Sequence, residues 1–270
     1  MISEGVERTD DGVEKAADAG GVLTEQHGGV LLVTLNRPHK KNALNNSLWR
    51  ELQAAFEQAS TDDSVAVLLL TGAGKDFCAG VDLADFAEAD GDHPYAACSR
   101  VVAEFDKPLV CAAKGIAIGG GATILFHADM VFVGDSLRMR LPFVNLGLVP
   151  EFASSYMLQA TIGVRRAAEL MFTADWIDAA CALDYGLVTA VCADDTLLAT
   201  ALERAATIAQ WPVNALRETK RCLKTTQRAG IEAAFAAEHA GMQKQAGSPE
   251  NIEAVMAFIE KREPDFSKLA

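Results

Sequence analysis

The sequence predicts an α/β fold with a helical C-terminal segment, and two observations lead to that class. Between residues 30 and 133, short apolar runs typical of buried strands alternate with stretches of helical periodicity. Such alternation favours a parallel sheet covered by helices. After residue 196 the helical period dominates, and no strong strand signal follows. We therefore expect an α/β core over residues 21–195 and a helical segment over residues 196–270.

The elements of the core are predicted in order by the spacing of apolar residues. Strands are expected at four β-branched or continuously apolar runs: residues 30–35, 65–71, 108–114 and 130–133. A helix is expected over residues 44–59, with Asn45 or Asn46 as its N-cap. A shorter helix is expected over residues 122–127.

The N-terminal region and the composition limit the cellular context. Residues 1–20 are acidic and lack an apolar core, which predicts a mobile tail rather than a secretory signal. A net charge of -13 disfavours nucleic-acid phosphates as a partner, and no apolar run approaches the roughly 20 residues that span a membrane. The six cysteines form no C-x-x-C pair and lie mostly in apolar surroundings. We therefore expect reduced, buried thiols in a cytoplasmic protein that binds neither nucleic acid nor membrane.

Two glycine-rich segments, each directly after a predicted strand, are the candidate functional elements. They span residues 71–83 and residues 114–122. A glycine run at a helix start exposes unpaired N–H groups, which suit an anion or an oxyanion. Phe77 occupies the third glycine position of a dinucleotide fingerprint, and neither segment has the P-loop pattern, so both nucleotide interpretations fail. Taken singly, each segment is equally explained as a tight strand-to-helix turn.

Taken together, these segments resemble the crotonase (enoyl-CoA hydratase/isomerase) superfamily. The resemblance covers nearly all of residues 22–266, including the motifs at 35–38, 42–45, 180–188 and 258–266. It implies a spiral of ββα turns and a homotrimer or dimer of trimers. The apolar faces of the C-terminal helices are expected at subunit contacts, with packing on their own core as the alternative. It also implies an acyl-CoA or enoyl-CoA thioester as substrate. Coenzyme A is then part of the substrate, and no separate cofactor is expected. The five histidines show no metal-ligand spacing, so no metal is expected either.

By position in the family motifs, the resemblance places two backbone N–H donors of an oxyanion hole at Ala79 and Gly120. Loss of a proton beside the thioester carbonyl builds negative charge on its oxygen, and one such donor is worth roughly 2.7–4 kcal/mol. The residues expected at the thioester surround these donors: Lys75, Ala79, Gly80, Val81, Asp82, Leu83, Gly119, Gly120 and Phe143. Lys75 is placed near the adenine or phosphates, with a solvated loop lysine as the alternative. Asp82 is interpreted as a helix cap rather than a base.

The residues at the positions where family members carry acid–base groups favour isomerisation of a double bond. Hydratases of the family are expected to use two glutamates, and this sequence has Thr123 and Phe143 at those positions. Adding water needs one group to activate water and another to manage the proton on carbon, so hydratase activity is disfavoured. Glu151 lies where peroxisomal-type 3,2-enoyl-CoA isomerases are expected to carry their one base.

Several alternatives stay open on the sequence alone. Pro150 and Glu151 are also a common helix start, with proline at the first position and an acid near the positive end of the dipole. A weak hydratase, another enolate reaction at a CoA thioester and a non-catalytic acyl-CoA binder would all use the same parts. Residues 85–95 are interpreted as a variable loop over the acyl site, and acyl length is not defined.

Overall fold

The computed structural model describes residues 21–82 and 94–269. The predicted tail over residues 1–20 and most of the predicted loop over residues 85–95 lie outside these ranges. The described strands are β1 (Gly21–His27), β2 (Val30–Asn36), β3 (Val67–Gly72), β4 (Leu109–Ala113), β5 (Ile116–Ile118), β6 (Met130–Gly134), β7 (Arg138–Arg140), β8 (Ile177–Asp178) and β9 (Ala190–Cys192). The described helices are α1 (Asn46–Thr61), α2 (Pro94–Glu104), α3 (Gly120–Thr123), α4 (Ser154–Ile162), α5 (Val164–Thr173), α6 (Ala179–Tyr185), α7 (Leu197–Ile208), α8 (Val213–Thr225), α9 (Arg228–Gln245) and α10 (Pro249–Glu260).

The strands form two sheets, and the chain alternates between them. The main sheet has the order β1-β2-β3-β4-β6-β9, and the small sheet has the order β5-β7-β8. From β2 to β9 the neighbours in the main sheet are parallel, whereas β1 pairs antiparallel with β2. β4 is followed by β5 of the small sheet, and β6 by β7, so the chain repeats a ββα turn. The α/β class and the spiral are thus confirmed.

Both faces of the main sheet are covered, which explains why its strands read as continuous apolar runs. On one face lies the apolar stripe of α1: Leu48, Trp49, Leu52, Ala55, Phe56 and Ala59. On the other face Leu197, Ala201 and Ala205 of α7 pack against β2, β3 and β4. The Asn45 side chain accepts the Leu48 N–H at 2.9 Å, which confirms Asn45 as the N-cap of α1.

The four predicted strands are present with shifts of one or two residues at their ends. β5, β7, β8 and β9 were not predicted, because two or three residues are too short to show a period. β1 was missed because its side chains are largely exposed and include Thr24, Glu25 and Gln26. The helix expected over 122–127 begins earlier, as α3, and continues as a 3₁₀ turn over Ile124–His127.

Two smaller expectations were wrong. Pro94 and Tyr95, assigned to a loop, form the first turn of α2. Three cysteines are buried as expected, but Cys181 and Cys192 are half-buried and Cys222 is exposed.

The segment after residue 196 contains helices α7 to α10. Several large apolar side chains on it are exposed: Leu198, Trp211, Leu223, Ile252, Met256, Phe258 and Ile259. Such side chains are typical of subunit contacts. The trimer or dimer of trimers stays a prediction. Within residues 21–82 and 94–269, no helix combines the length and apolar character that a bilayer span requires.

Candidate active site

A cavity of about 750 Å³ lies between the two glycine-rich segments and the C-terminal helices. It brings together most of the residues predicted at the thioester: Ala79, Gly80, Val81, Asp82, Gly119, Gly120, Phe143 and Glu151. Leu83 lies outside the described residues. Lys75 is exposed on a turn and is not among the residues that line the cavity, so its predicted place at the ligand is not supported.

The C-terminal segment forms one wall of this cavity. Met242 of α9, together with Ala254, Val255 and Phe258 of α10, contributes apolar surface. Arg262 lies just beyond α10 and completes the wall. The sequence analysis expected this segment at subunit contacts or packed on its own core, and its place in the site was missed.

The first glycine-rich segment is fixed by side chains from the motif that follows β2. Asn42 donates from its amide to the carbonyls of Ala73 and Asp76, at 2.9 and 2.8 Å. The Arg37 guanidinium pairs with the Asp82 carboxylate at 2.6 Å, and the pair is largely buried. Because this pair engages Asp82, its carboxylate is held for structure and not for proton transfer.

The predicted donor at Ala79 is wrong. The Ala79 N–H donates to the Lys41 carbonyl at 2.9 Å, so it is not available to a ligand. Val81 pairs with Leu44 in a parallel bridge, in which the Leu44 N–H donates to the Gly80 carbonyl and the Asp82 N–H donates to the Leu44 carbonyl. In such a bridge the N–H of the middle residue points to the opposite side. The Val81 N–H has no hydrogen-bond partner among the described residues, and Val81 lines the cavity.

The second donor agrees with the sequence prediction. Gly119 ends β5 with a φ of 51°, a left-handed conformation that favours glycine, and α3 begins at Gly120. The Gly120 N–H makes no hydrogen bond within the described part of the chain, as expected for the first residue of a helix. A Cβ built on Gly80 would lie 3.7 Å from the Gly120 nitrogen. The two glycine-rich segments are therefore in contact close to the N–H groups of Val81 and Gly120, which have no hydrogen-bond partner among the described residues.

The Glu151 side chain lies next to Gly120. A Cβ built on Gly120 would lie 3.0 Å from the Glu151 Oε1 atom. The Glu151 carboxyl has no hydrogen bond or ion pair with any residue that the structure describes. Burial and, to a smaller extent, the nearby charge of Glu238 together raise the pKa of Glu151 to about 8. A carboxyl with such a pKa can both take and return a proton near neutral pH.

The helix-start interpretation of Glu151 was wrong, because α4 begins only at Ser154. Between them, Phe152 and Ala153 have φ values of 62° and 52°, both left-handed. Each such non-glycine conformation costs of order 1–3 kcal/mol and persists only when its surroundings hold it. Tyr95 accepts the Phe152 N–H at 2.7 Å, and His127 contacts the Phe152 carbonyl through Nε2 at 2.7 Å.

The positions at which family hydratases are expected to carry glutamates hold no acid–base group. Thr123 is fully buried, and its hydroxyl donates to the Gly120 carbonyl at 3.3 Å. Phe143 contributes an apolar surface to the cavity. Of the other carboxylates that line the cavity in the described ranges, Asp82 is paired and Glu263 is exposed. Of these carboxyl groups, that of Glu151 therefore lies next to Gly120, the residue with the expected N–H donor.

Three cations line the cavity among the described residues. They are Lys41, Arg140 and Arg262, none of which the sequence analysis had proposed. Arg140 donates to the Ala174 carbonyl at 2.6 Å, and its guanidinium lies 5.5 Å from the Trp176 ring centre. No cluster of three or more potential metal ligands occurs among residues 21–82 and 94–269.

Comparison with known proteins decides the family. The model of the family described as "Enoyl-CoA hydratase/isomerase" matches residues 25–268. This chain belongs to the enoyl-CoA hydratase/isomerase family.

Relatives of this chain are named as hydratases and as isomerases. "2,3-dehydroadipyl-CoA hydratase" of Escherichia coli (strain K12) is 35% identical over 250 residues, covering 91% of this chain and 98% of the relative. "Enoyl-CoA delta isomerase 2" of Rattus norvegicus is 32% identical over 257 residues, covering 92% of this chain and 66% of the relative. The crystal structure of an enoyl-CoA hydratase/isomerase from Pseudoalteromonas atlantica T6c has a TM-score of 0.88 and 38% identity, over 91% of this chain and 99% of that one.

Proposed function

We propose that this member of the enoyl-CoA hydratase/isomerase family moves the double bond of an enoyl-CoA from the 3- to the 2-position. One observation carries the proposal. The Glu151 carboxyl, which has no partner among the described residues, lies beside Gly120, while Thr123 and Phe143 occupy the positions where a hydratase would carry its two glutamates. One base and an oxyanion site suffice for isomerisation but not for the addition of water.

The proposed reaction uses the same carboxyl twice. Ionised Glu151 takes the proton from C2, and the electron pair of that C–H bond moves toward the thioester carbonyl. The N–H groups of Val81 and Gly120 donate to the oxygen on which the negative charge develops. Protonated Glu151 then returns the proton to C4, and the double bond ends between C2 and C3. No atoms are gained or lost.

The coenzyme A part of the substrate fits the charges of the cavity. Among the described residues, the cations that line it are Lys41, Arg140 and Arg262, of which Arg262 also pairs with Glu253 and Glu260, in a protein with a net charge of -13. We propose that they attract the phosphate groups, because guanidinium and ammonium groups are the usual phosphate donors. The proposal needs no separate cofactor.

A hydratase is the second candidate, because a relative at 35% identity carries that name. The test is to incubate the protein with a 3-enoyl-CoA and a 2-enoyl-CoA side by side and to separate the products by chromatography. We expect 2-enoyl-CoA from the first substrate and little 3-hydroxyacyl-CoA from the second. Rapid formation of 3-hydroxyacyl-CoA would contradict the isomerase. Binding without turnover of either would favour a non-catalytic acyl-CoA binder or another thioester reaction.

Isomerisation is expected to accelerate with rising pH. The reaction begins with ionised Glu151, and its pKa of about 8 leaves most of the carboxyl protonated at pH 7. The value of kcat/KM should therefore rise about tenfold per pH unit below the midpoint and level off above pH 8. Initial rates in overlapping buffers measure this profile, with thioester hydrolysis in enzyme-free samples subtracted. A profile that is flat from pH 6 to 9 would show that Glu151 is not the titrating base.

A further inference from the structure

Glu238 is a second buried carboxylate beside Glu151, and the proposed reaction does not use it. It lies on α9, 7% exposed, in the interior of the protein. Its Oε2 atom accepts the Ala153 N–H at 2.7 Å, and its Oε1 atom accepts the Ser155 N–H at 2.8 Å. Both oxygens act as acceptors, as in an ionised carboxylate.

These bonds hold the turn that carries Glu151. The N-cap residue of α4 is Ala153, which has no side-chain oxygen to cap the helix. Glu238 supplies that oxygen from another helix and so fixes the residues directly after Glu151. These two bonds add to the contacts of Phe152 with Tyr95 and His127 in holding the left-handed conformations of Phe152 and Ala153.

Glu238 is also the group whose charge raises the pKa of Glu151; burial raises the pKa of Glu238 itself, and its hydrogen bonds with Ser155 and Ala153 oppose that rise. The other titratable groups around Glu151 are Tyr95 on α2, Cys78 in the first glycine-rich segment and His127 beside Phe152. Burial raises the pKa of Tyr95, raises that of Cys78 to about 12 and lowers that of His127 to about 4. All three are neutral at pH 7, so the carboxylate of Glu238 is the charge that acts on Glu151 within the described structure.

We propose that Glu238 is the positioning residue of Glu151: its two hydrogen bonds fix the turn after Glu151 and so hold the Glu151 carboxyl against Gly120, with the Glu238 carboxyl close by. The inference rests on the proposed function, in which Glu151 is the base. In this inference Glu151 transfers the proton, and Glu238, 87 positions later in the sequence, holds Glu151 in place.

Two variants separate the two effects. Glu238→Gln removes the charge and leaves one oxygen to accept two N–H groups. We expect kcat to fall about 10- to 100-fold through misplacement of the base, with KM nearly unchanged, and the midpoint of the pH–rate profile to move to lower pH. Glu238→Asp keeps the charge but is one methylene shorter, so kcat should fall while the midpoint stays near that of the wild type. Glu232→Gln on the same helix, which removes an exposed partner of Arg100, should change neither.

The titration of Glu151 can also be measured without any substrate. Infrared difference spectra against pH, with the Glu151 band assigned by its loss in Glu151→Gln, should show a lower midpoint in Glu238→Gln than in the wild type. An unchanged midpoint together with wild-type kcat would overturn the proposal. If wild-type protein fails to isomerise 3-enoyl-CoA, the proposed function fails, while this titration still decides the role of Glu238. Should Glu238→Gln not fold, wild-type kcat in Glu238→Asp would overturn the positioning role.

Discussion

Glu151→Gln is expected to lower kcat for 3-enoyl-CoA isomerisation by at least about 10²-fold, the lower range for a positioned acid–base group. Glutamine keeps the shape of the side chain but cannot accept the C2 proton. The donors at Val81 and Gly120 belong to the backbone and remain in place, so acyl-CoA binding should be nearly unchanged. The loss should therefore appear in kcat rather than in KM. Steady-state kinetics on 3-enoyl-CoA, with calorimetric titration of an acyl-CoA, measures both quantities.

A matched control removes a carboxylate elsewhere. Glu57→Gln makes the same substitution at an exposed glutamate on the outer face of α1. It should retain wild-type kcat. If Glu151→Gln kept full isomerase activity, another group would have to be the base, and the proposed mechanism would be lost.

Gly120→Val is expected to lower kcat/KM by about 10²-fold or more, the scale for loss of one oxyanion donor. The added Cβ would lie 3.0 Å from the Glu151 Oε1 atom and 3.6 Å from the Trp49 ring, and the two methyl groups beyond it need further room. The carboxyl is displaced, and the Gly120 N–H is covered. Gly120 does not have a left-handed φ, so the variant should fold. The loss of kcat/KM can then be attributed to the change at the active site.

Thermal unfolding and kinetics measured together test this interpretation. Gly28→Ala adds a side chain at a left-handed glycine on the exposed turn between β1 and β2, with no atom within 4 Å of its Cβ. It should lose some stability and no activity. Near-normal kinetics in a folded Gly120→Val variant would place the oxyanion hole elsewhere.

The sequence was sufficient for the fold and for the segments that form the site, but not for the choice of donor. Motif spacing identified residues 71–83 and 114–122 because glycine is required where the backbone must turn and approach closely. Within the first segment, the direction of each N–H depends on the pairing partner, and that partner is Leu44, far away in sequence. The sequence analysis therefore placed the donor at Ala79, whereas the Ala79 N–H donates to the Lys41 carbonyl.

Glu238 illustrates a second limit, although a signal for it exists. The buried residues of α9 are Ile231, Ala234 and Glu238, which recur at helical spacing. An acid on the apolar stripe of a helix is unusual, because burial of an unpaired charge is unfavourable. That position could have been noticed, but its partners, Ala153 and Ser155, follow only from the way α9 packs on α4.

The wall formed by α9 and α10 has a consequence for biosynthesis. Ribosomes deliver the chain from the N-terminus, so both glycine-rich segments and Glu151 emerge well before Met242 and Phe258. A nascent chain can thus assemble its main sheet while the thioester compartment is still open on one side and the turn after Glu151 lacks the bonds of Glu238. The cavity is therefore closed on this side only after α9 and α10 have been synthesised and have packed on the core.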